Sequence, residues 1–131
     1  MDRLSIWQQN INKSPACQHN IISNNILIRK GINLIILQEP AISSTGFSIA
    51  SRDWMPVYPS NHSINPHITR SIRLIRVDVS TENWNQIDFP SSNVTVIQMT
   101  RHWGKVTVFN IYSNGKSNDM IKLLTDYHHR N

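Results

Sequence analysis

The most constraining feature of this 131-residue sequence is a short and almost wholly apolar run at residues 32–37, which is followed by Gln38-Glu39-Pro40. A run of this length and composition is typical of a strand that is covered on both faces. A second strand is predicted at residues 4–9, and a helix-like segment joins the two. Strand, helix and strand in this order predict a right-handed βαβ unit with two parallel strands.

The segment between the strands carries the signals of a helix that begins and ends within it. Ser14 can cap the helix, Pro15 suits its first position, and Gly31 suits the position just past its end. The βαβ unit then places Asn10 and Glu39, which follow the two strands, at one edge of the sheet. Ligands of open α/β sheets gather at such an edge, and amide and carboxylate oxygens suit Mg²⁺.

The rest of the sequence predicts strands more than helices. Gly104 suits the turn of a predicted hairpin, and an amphipathic helix is expected from about residue 117. The segment 82–92 reads as a connection. Strand-like runs lie at residues 54–58, 71–79, 93–99 and 105–112, the last two forming the hairpin.

Several ionisable residues are interpreted as surface residues. Arg70, Arg73 and Arg76 recur at every third position. The side-chain period of a strand is two, so the three do not share one face. We interpret them as solvated charges, with a diffuse basic surface as the alternative. His62 and His67 lack the tight spacing of metal ligands and are also placed at the surface.

The composition and the missing motifs limit the kinds of function that this sequence can have. The net charge of +5 suits a polyanionic partner such as nucleic acid, although many small domains carry this charge. Cys17 is the only cysteine, which excludes an internal disulfide. Walker, Rossmann and Gly-x-Ser-x-Gly patterns are missing. No apolar run approaches the ~20 residues of a membrane span, and no signal peptide stands out. We therefore expect an intracellular protein without a membrane partner.

Short segments of the sequence, taken in order, match a known pattern. They are residues 6–14, 37–40, 54 with 57–59, 70–72 and 104–112, and they are spread along almost the whole chain. This ordered set resembles the endonuclease/exonuclease/phosphatase family, and in particular the endonuclease domains of fungal non-LTR retrotransposons. The resemblance implies a deoxyribonuclease I-like fold, a four-layer α/β sandwich in which helices flank two mixed sheets, and metal-dependent hydrolysis of phosphoester bonds.

The resemblance also implies roles for individual residues. Glu39 is similar to the family's metal-binding glutamate, which would hold Mg²⁺ or Mn²⁺. Asn10 is similar to the amide that orients the metal site, and Tyr112 to the tyrosine that contacts the scissile phosphate. Asn12 and Arg70 would bind the substrate. DNA is the partner that the family implies, and a nuclear location is compatible with it.

The sequence departs from the family in its later motifs. It contains neither a Gly-Asp dipeptide nor an Asp-His dipeptide, which in relatives belong to the second half of the site. Asp126-Tyr127-His128-His129 is the nearest imitation and is interpreted as solvated. We therefore expect residues 1–131 to form a single, truncated domain that binds metal weakly and has little or no activity alone. A non-catalytic nucleic-acid-binding or structural remnant is the alternative, with self-association through an exposed sheet face.

Overall fold

The computed structural model describes residues 4–23, 25–79, 81–101 and 104–113, which form a mixed α/β structure with two sheets and few helices. Single-turn 3₁₀ helices lie at Pro66–Ile68 and Thr81–Asn83. The other elements are β1 (Ile6–Asn10), α1 (Pro15–Ser23), α2 (Ile26–Arg29), β2 (Leu34–Gln38), β3 (Trp54–Val57), β4 (Ser71–Arg76), β5 (Trp84–Ile87), β6 (Val94–Arg101) and β7 (Gly104–Ile111).

The first sheet contains four strands in the order β1-β2-β4-β3. β1 pairs with β2 in parallel, which confirms the predicted βαβ unit, whereas β4 is antiparallel to both of its neighbours. The end of β2 therefore lies beside the start of β4, where Gln38 pairs with Ser71, and Asn10 at the end of β1 pairs with Gln38. We call this edge of the sheet, formed by Asn10, Gln38 and Ser71, the upper edge.

The helical connection follows its predicted caps but is divided. The N–H of Cys17 donates to Ser14 Oγ at 3.1 Å, which satisfies one of the free donors of the first turn. Gly31 follows the C-cap of α2 with a φ of +75°, a conformation that costs glycine little. The sequence analysis predicted a single helix here, but the structure has two: α1 ends at Ser23 and α2 begins at Ile26.

The second sheet contains three antiparallel strands in the order β5-β6-β7. β6 and β7 form the predicted hairpin, and Gly104 at the start of β7 has a φ of +139°, a conformation that glycine adopts readily. β5 lies within the segment that was interpreted as a connection. That interpretation was wrong because only the two end residues of β5, Trp84 and Ile87, are apolar, and pairing with β6 makes the segment a strand.

The described residues form three layers, with the helices on one face of the first sheet and the second sheet on the other. β2 is buried along its whole length, which confirms the prediction of a strand covered on both faces. Burying an aliphatic side chain contributes ~1.5–3 kcal/mol, so β2 is a major part of the core. On the helix side, Ile35, Leu37, Ile72 and Leu74 pack with Ile22 and Leu27. Between the sheets, Leu34, Ile36 and Ile75 pack with Ile97 and Met99.

Arg73, which was predicted to be solvated, is wholly buried between the sheets. It shares a face of β4 with Ile75, and that face points at the second sheet. Its guanidinium donates from Nε to Thr95 Oγ1 at 3.2 Å, from Nη2 to the Thr95 carbonyl, and from Nη2 to the Val108 carbonyl at 3.0 Å. Nη1 has no hydrogen-bond partner among the described residues. Burial lowers the pKa of Arg73 to about 9, because desolvation disfavours the charged form.

His62 is likewise buried, contrary to its interpretation as a surface residue, whereas His67 is exposed as expected. The ring nitrogens of His62 form hydrogen bonds with Thr69 Oγ1 at 2.6 Å and with the Gly46 carbonyl at 2.7 Å. Because the Gly46 carbonyl can only accept, Nε2 is the donor in the second bond. His62 thus links two loops above the upper edge.

The predicted terminal helix and the segment Asp126-Tyr127-His128-His129 lie outside the described residues. Within the described part of the chain, none of the helices has the length and hydropathy that a membrane span requires.

Candidate active site

The upper edge holds the residues that follow β1 and β2 close to the residue that precedes β4. The N–H of Lys13 donates to the carbonyl of Glu39 at 2.8 Å, and the N–H of Glu39 donates to the carbonyl of Arg70 at 2.8 Å. These main-chain bonds tie three separate parts of the chain together at Glu39. The edge therefore has the position that the sequence predicted from the two parallel strands.

The second sheet adds Tyr112, which directly follows β7. The N–H of Tyr112 donates to the Asn93 carbonyl at 2.8 Å, while the N–H of Arg70 donates to the Ser92 carbonyl at 2.9 Å. The Tyr112 hydroxyl lies close enough to the Glu39 carboxylate for that group to raise its pKa, and the charge of Arg70 also acts on that hydroxyl. Glu39, Arg70 and Tyr112, which come from distant parts of the sequence, thus meet at one place.

Glu39 has a strained backbone. Its φ is +51°, in the left-handed region that a residue with a side chain seldom adopts, at a cost of ~1–3 kcal/mol. The hydrogen bonds with Lys13 and Arg70 hold both of its main-chain polar groups in this conformation. Strained residues of this kind concentrate at functional sites, where the surrounding structure must offset the strain. The conformation marks Glu39 as a candidate site residue independently of its carboxylate.

The environment of Tyr112 raises the pKa of its phenol. The hydrogen bond to Glu39 is the largest cause, followed by desolvation and by the negative charge of Glu39, whereas the positive charge of Arg70 opposes the shift. The phenol therefore remains protonated well above neutral pH. Tyr112 can act as a hydrogen-bond donor to an anion at this edge, and it is a poor candidate for a base.

Asn10 and Asn12 lie at the same edge and form a local turn. The side-chain Oδ1 of Asn10 accepts the N–H of Asn12 at 3.0 Å, a turn that asparagine often stabilises. Asn12 has a φ of +50°, which asparagine tolerates better than most residues. Both side chains are exposed, so their amides are accessible to a ligand at the upper edge.

A buried polar network supports the upper edge, and the sequence analysis missed it. Asn110 is fully buried on β7, and its Nδ2 donates to the carbonyls of Leu37 at 3.1 Å and Ile72 at 2.7 Å. Its Oδ1 accepts Nε2 of Gln38, whose Oε1 accepts Nε2 of Gln8. The available signal was a single asparagine inside an apolar strand. Because Asn110 precedes Tyr112 by two residues, it fixes β7 where the tyrosine must reach Glu39.

The donors at the upper edge suit a hard cation bound through oxygen. No group of three or more His, Cys, Asp or Glu side chains that could hold a metal occurs among the described residues, which argues against a closed site of the zinc type there. Mg²⁺ differs, since it commonly takes one or two carboxylates and keeps several waters. The Glu39 carboxylate, with the exposed amides of Asn10 and Asn12, fits a weak site of this kind.

Comparisons with known proteins identify a structural relative of this fold. No protein-family model and no curated protein matches the sequence. Among solved structures, the endonuclease domain of TRAS1, a telomere-specific non-LTR retrotransposon, is similar with a TM-score of 0.64 and 9% identity. The likeness is to the fold of an endonuclease domain. It covers 98% of this chain and 53% of that one, so this chain spans about half the length of the structure it matches.

Proposed function

We propose that the upper edge is the phosphodiester-binding and hydrolytic site of a retroelement-type endonuclease that acts on DNA. The meeting of Glu39, Arg70 and Tyr112 at this edge carries the proposal, and the likeness to the TRAS1 endonuclease domain supports it. In its finer form, the proposal takes the two sheets as the central layers of a deoxyribonuclease I-like four-layer sandwich.

Each residue at the edge would have a role that follows from its chemistry. The Arg70 cation can pair with a phosphate oxygen. The Tyr112 hydroxyl, which is protonated at neutral pH, can turn its single proton from Glu39 to a second phosphate oxygen. Glu39 would hold Mg²⁺ or Mn²⁺ with support from the amides of Asn10 and Asn12. The metal would stabilise negative charge on the phosphate and on the leaving oxygen.

The expected activity is low. Since no three carboxylate, histidine or cysteine side chains cluster within the described residues, Glu39 would hold the ion with much help from water. Weak metal binding and slow turnover follow from that ligand set. A second carboxylate at the edge would be expected to tighten the site.

Nicking of supercoiled plasmid DNA with Mg²⁺ or Mn²⁺ tests the proposal. We expect slow nicking that stops with a chelator and is abolished by Glu39→Gln, with a loss of roughly tenfold or more in Tyr112→Phe, as for a group that stabilises charge in the transition state. Glu82→Gln is the matched control, because Glu82 is an exposed carboxylate beside the second sheet. If Glu39→Gln nicked plasmid DNA at the same rate as the wild type, the proposed site would be contradicted.

The second candidate is a non-catalytic module that binds nucleic acid. It is favoured by the net charge of +5 together with the sparse set of metal ligands in the described residues. Its signature is DNA binding that weakens steeply with salt, because phosphate contacts release counterions. Binding of this kind without any nicking, and unaltered by Glu39→Gln, would favour the module over the enzyme.

A further inference from the structure

A large aromatic side chain is exposed in the loop that follows the upper edge in the chain. Phe47 is 61% exposed and lies in the loop of residues 42–48, which begins three positions after Glu39. Most phenylalanines in a domain of this size are buried, because exposing a large apolar ring to water is unfavourable. The exposure of the Phe47 ring therefore needs an explanation: either the loop is loosely structured, or the ring contacts a ligand.

The loop is closed by its own hydrogen bonds. Ile42 and Ser48 form an isolated antiparallel bridge. Inside it, the N–H of Ser43 donates to the Phe47 carbonyl at 2.8 Å, and the N–H of Gly46 donates to the Ser43 carbonyl at 2.9 Å. Gly46 has a φ of +89°, and a Cβ at this position would lie 3.0 Å from a proline ring. These hydrogen bonds and the glycine fix the backbone conformation of the turn.

The loop is also anchored to the domain beneath it. The N–H of Ser48 donates to Tyr58 Oη at 2.9 Å, and Ser48 Oγ donates to the Ala41 carbonyl at 2.6 Å. The buried Gln18, in the first turn of α1, donates from Nε2 to Ser48 Oγ at 2.6 Å and to the Ile49 carbonyl at 2.9 Å. These contacts hold the base of the loop against the helix layer.

The ring of Phe47 is braced by other aromatic rings. It meets Tyr58 edge to face, with ring centroids 6.3 Å apart, and Tyr58 stacks on His62 at 4.2 Å. His62 in turn bonds to the Gly46 carbonyl, directly before Phe47. The exposed ring is therefore held in one place before any ligand arrives, and such preorganisation lowers the cost of binding.

Charge at the same edge indicates what the ring could bind. The exposed Lys13 bonds to Glu39 through its main chain. The Arg70 guanidinium donates to the His67 and Thr69 carbonyls at 3.1 Å, and the Thr69 hydroxyl contacts His62, which bonds to the carbonyl before Phe47. A flat apolar ring next to cations that attract phosphate suits a nucleotide, whose base presents a π-face and whose backbone is anionic. We infer that Phe47 is a stacking platform for an unstacked base of DNA bound at the upper edge. The inference rests on the proposed function, to which it adds the form of the substrate.

Binding of a fluorescent oligothymidylate, measured by anisotropy without divalent metal, tests the platform. Phe47→Ala should raise Kd roughly 5- to 100-fold, as expected for the loss of one stacked base. Phe47→Trp should bind at least as well as the wild type, and Phe47→Leu, which keeps apolar surface without a ring, should resemble Phe47→Ala. Val77→Ala is the matched control, since Val77 is 55% exposed and follows the opposite end of β4.

Two further measurements separate stacking from charge. The salt dependence of Kd should be unchanged in Phe47→Ala, whereas Arg70→Gln should lower its slope by about one phosphate contact. A probe with the same phosphodiester backbone and no bases should bind wild type and Phe47→Ala equally.

The platform would be overturned if the wild type failed to bind the oligonucleotide or if Phe47→Ala bound it normally. It would also be overturned if Phe47→Leu matched the wild type, because apolar surface without a ring would then be sufficient. The proposed hydrolysis is tested separately. If the protein did not nick plasmid DNA but Phe47→Ala still weakened oligonucleotide binding, the hydrolytic function would be refuted and the stacking role of Phe47 would stand.

Discussion

Replacing Asn110 by alanine should weaken the junction of the two sheets below the candidate site. Asn110 is fully buried, and its side chain donates to the Leu37 and Ile72 carbonyls and accepts Gln38 Nε2. A buried hydrogen bond contributes ~0.5–1.5 kcal/mol net, and a buried donor left without an acceptor adds ~1–3 kcal/mol. Loss of these contacts should therefore destabilise the protein by about 3–4 kcal/mol, a large share of the ~5–15 kcal/mol of a typical domain.

Urea unfolding followed by tryptophan fluorescence measures this loss, because Trp54 is buried and should report unfolding. With a slope of ~1–3 kcal/mol per molar urea, the midpoint of Asn110→Ala should fall by about 1–4 M. Asn85→Ala is the control, since Asn85 is exposed on β5, and its free energy of unfolding should change by less than ~0.5 kcal/mol. A midpoint for Asn110→Ala within error of the control would refute the reasoning.

Asn110→Asp sharpens the test because it keeps the shape of the side chain. Its carboxylate could still accept from Gln38, but it would face the Leu37 and Ile72 carbonyls without a proton to donate. Burial raises the pKa of such a carboxyl, so the native state binds the proton more tightly than the unfolded chain does. The variant should be less stable than Asn110→Ala at neutral pH and should gain stability as the pH falls. A flat pH response would contradict the role assigned to the donated bonds.

Other expectations concern Glu39, Tyr112 and Arg73. Glu39→Gln should lower the pKa of Tyr112 toward its ordinary value, because the charged partner is gone, and an NMR titration of the tyrosine ring carbons with Tyr58 as reference would measure it. Because the pKa of Tyr112 is raised in the native state, the native state holds the phenolic proton more tightly than the unfolded chain does. Tyr112 therefore contributes stability below its ordinary pKa, and this stability is lost as the pH rises through the raised value. In alkaline buffers, Tyr112→Phe should remove this pH dependence from the urea midpoint. Arg73→Met should change the free energy of unfolding little or increase it, since it removes a desolvated charge with an unpartnered Nη1, whereas Arg73→Ala should cost ~2–4 kcal/mol through the cavity it leaves.

The βαβ unit was predictable because local signals determine it. The cap at Ser14, the glycine at position 31 and the apolar run before Gln38 each report a structure formed by a few neighbouring residues. β5 was not predictable in this way, because its two middle residues are polar and exposed and its strand character comes from pairing with β6. Strand formation at a polar edge is a tertiary property that propensity does not capture.

The position of the candidate site was also predictable, whereas its geometry was not. Parallel strands place Asn10 and Glu39 at one edge through topology alone. The contact between Tyr112 and Glu39 depends instead on how the second sheet lies against the first, and the polar residues Asn110 and Arg73 hold that register from within the core. A pattern of apolar periodicity treats such residues as solvated, which is why the interpretation of Arg73 was wrong.

The strain at Glu39 has the same origin. Lys13 and Arg70, which lie on either side of Glu39 in the fold and far from it in sequence, bond to its carbonyl and N–H and hold its φ at +51°. A carboxylate that merely ended a strand before a proline would have no need of this conformation. A positive φ of this kind costs ~1–3 kcal/mol, and on the proposed function it would serve to present the Glu39 carboxylate to a ligand.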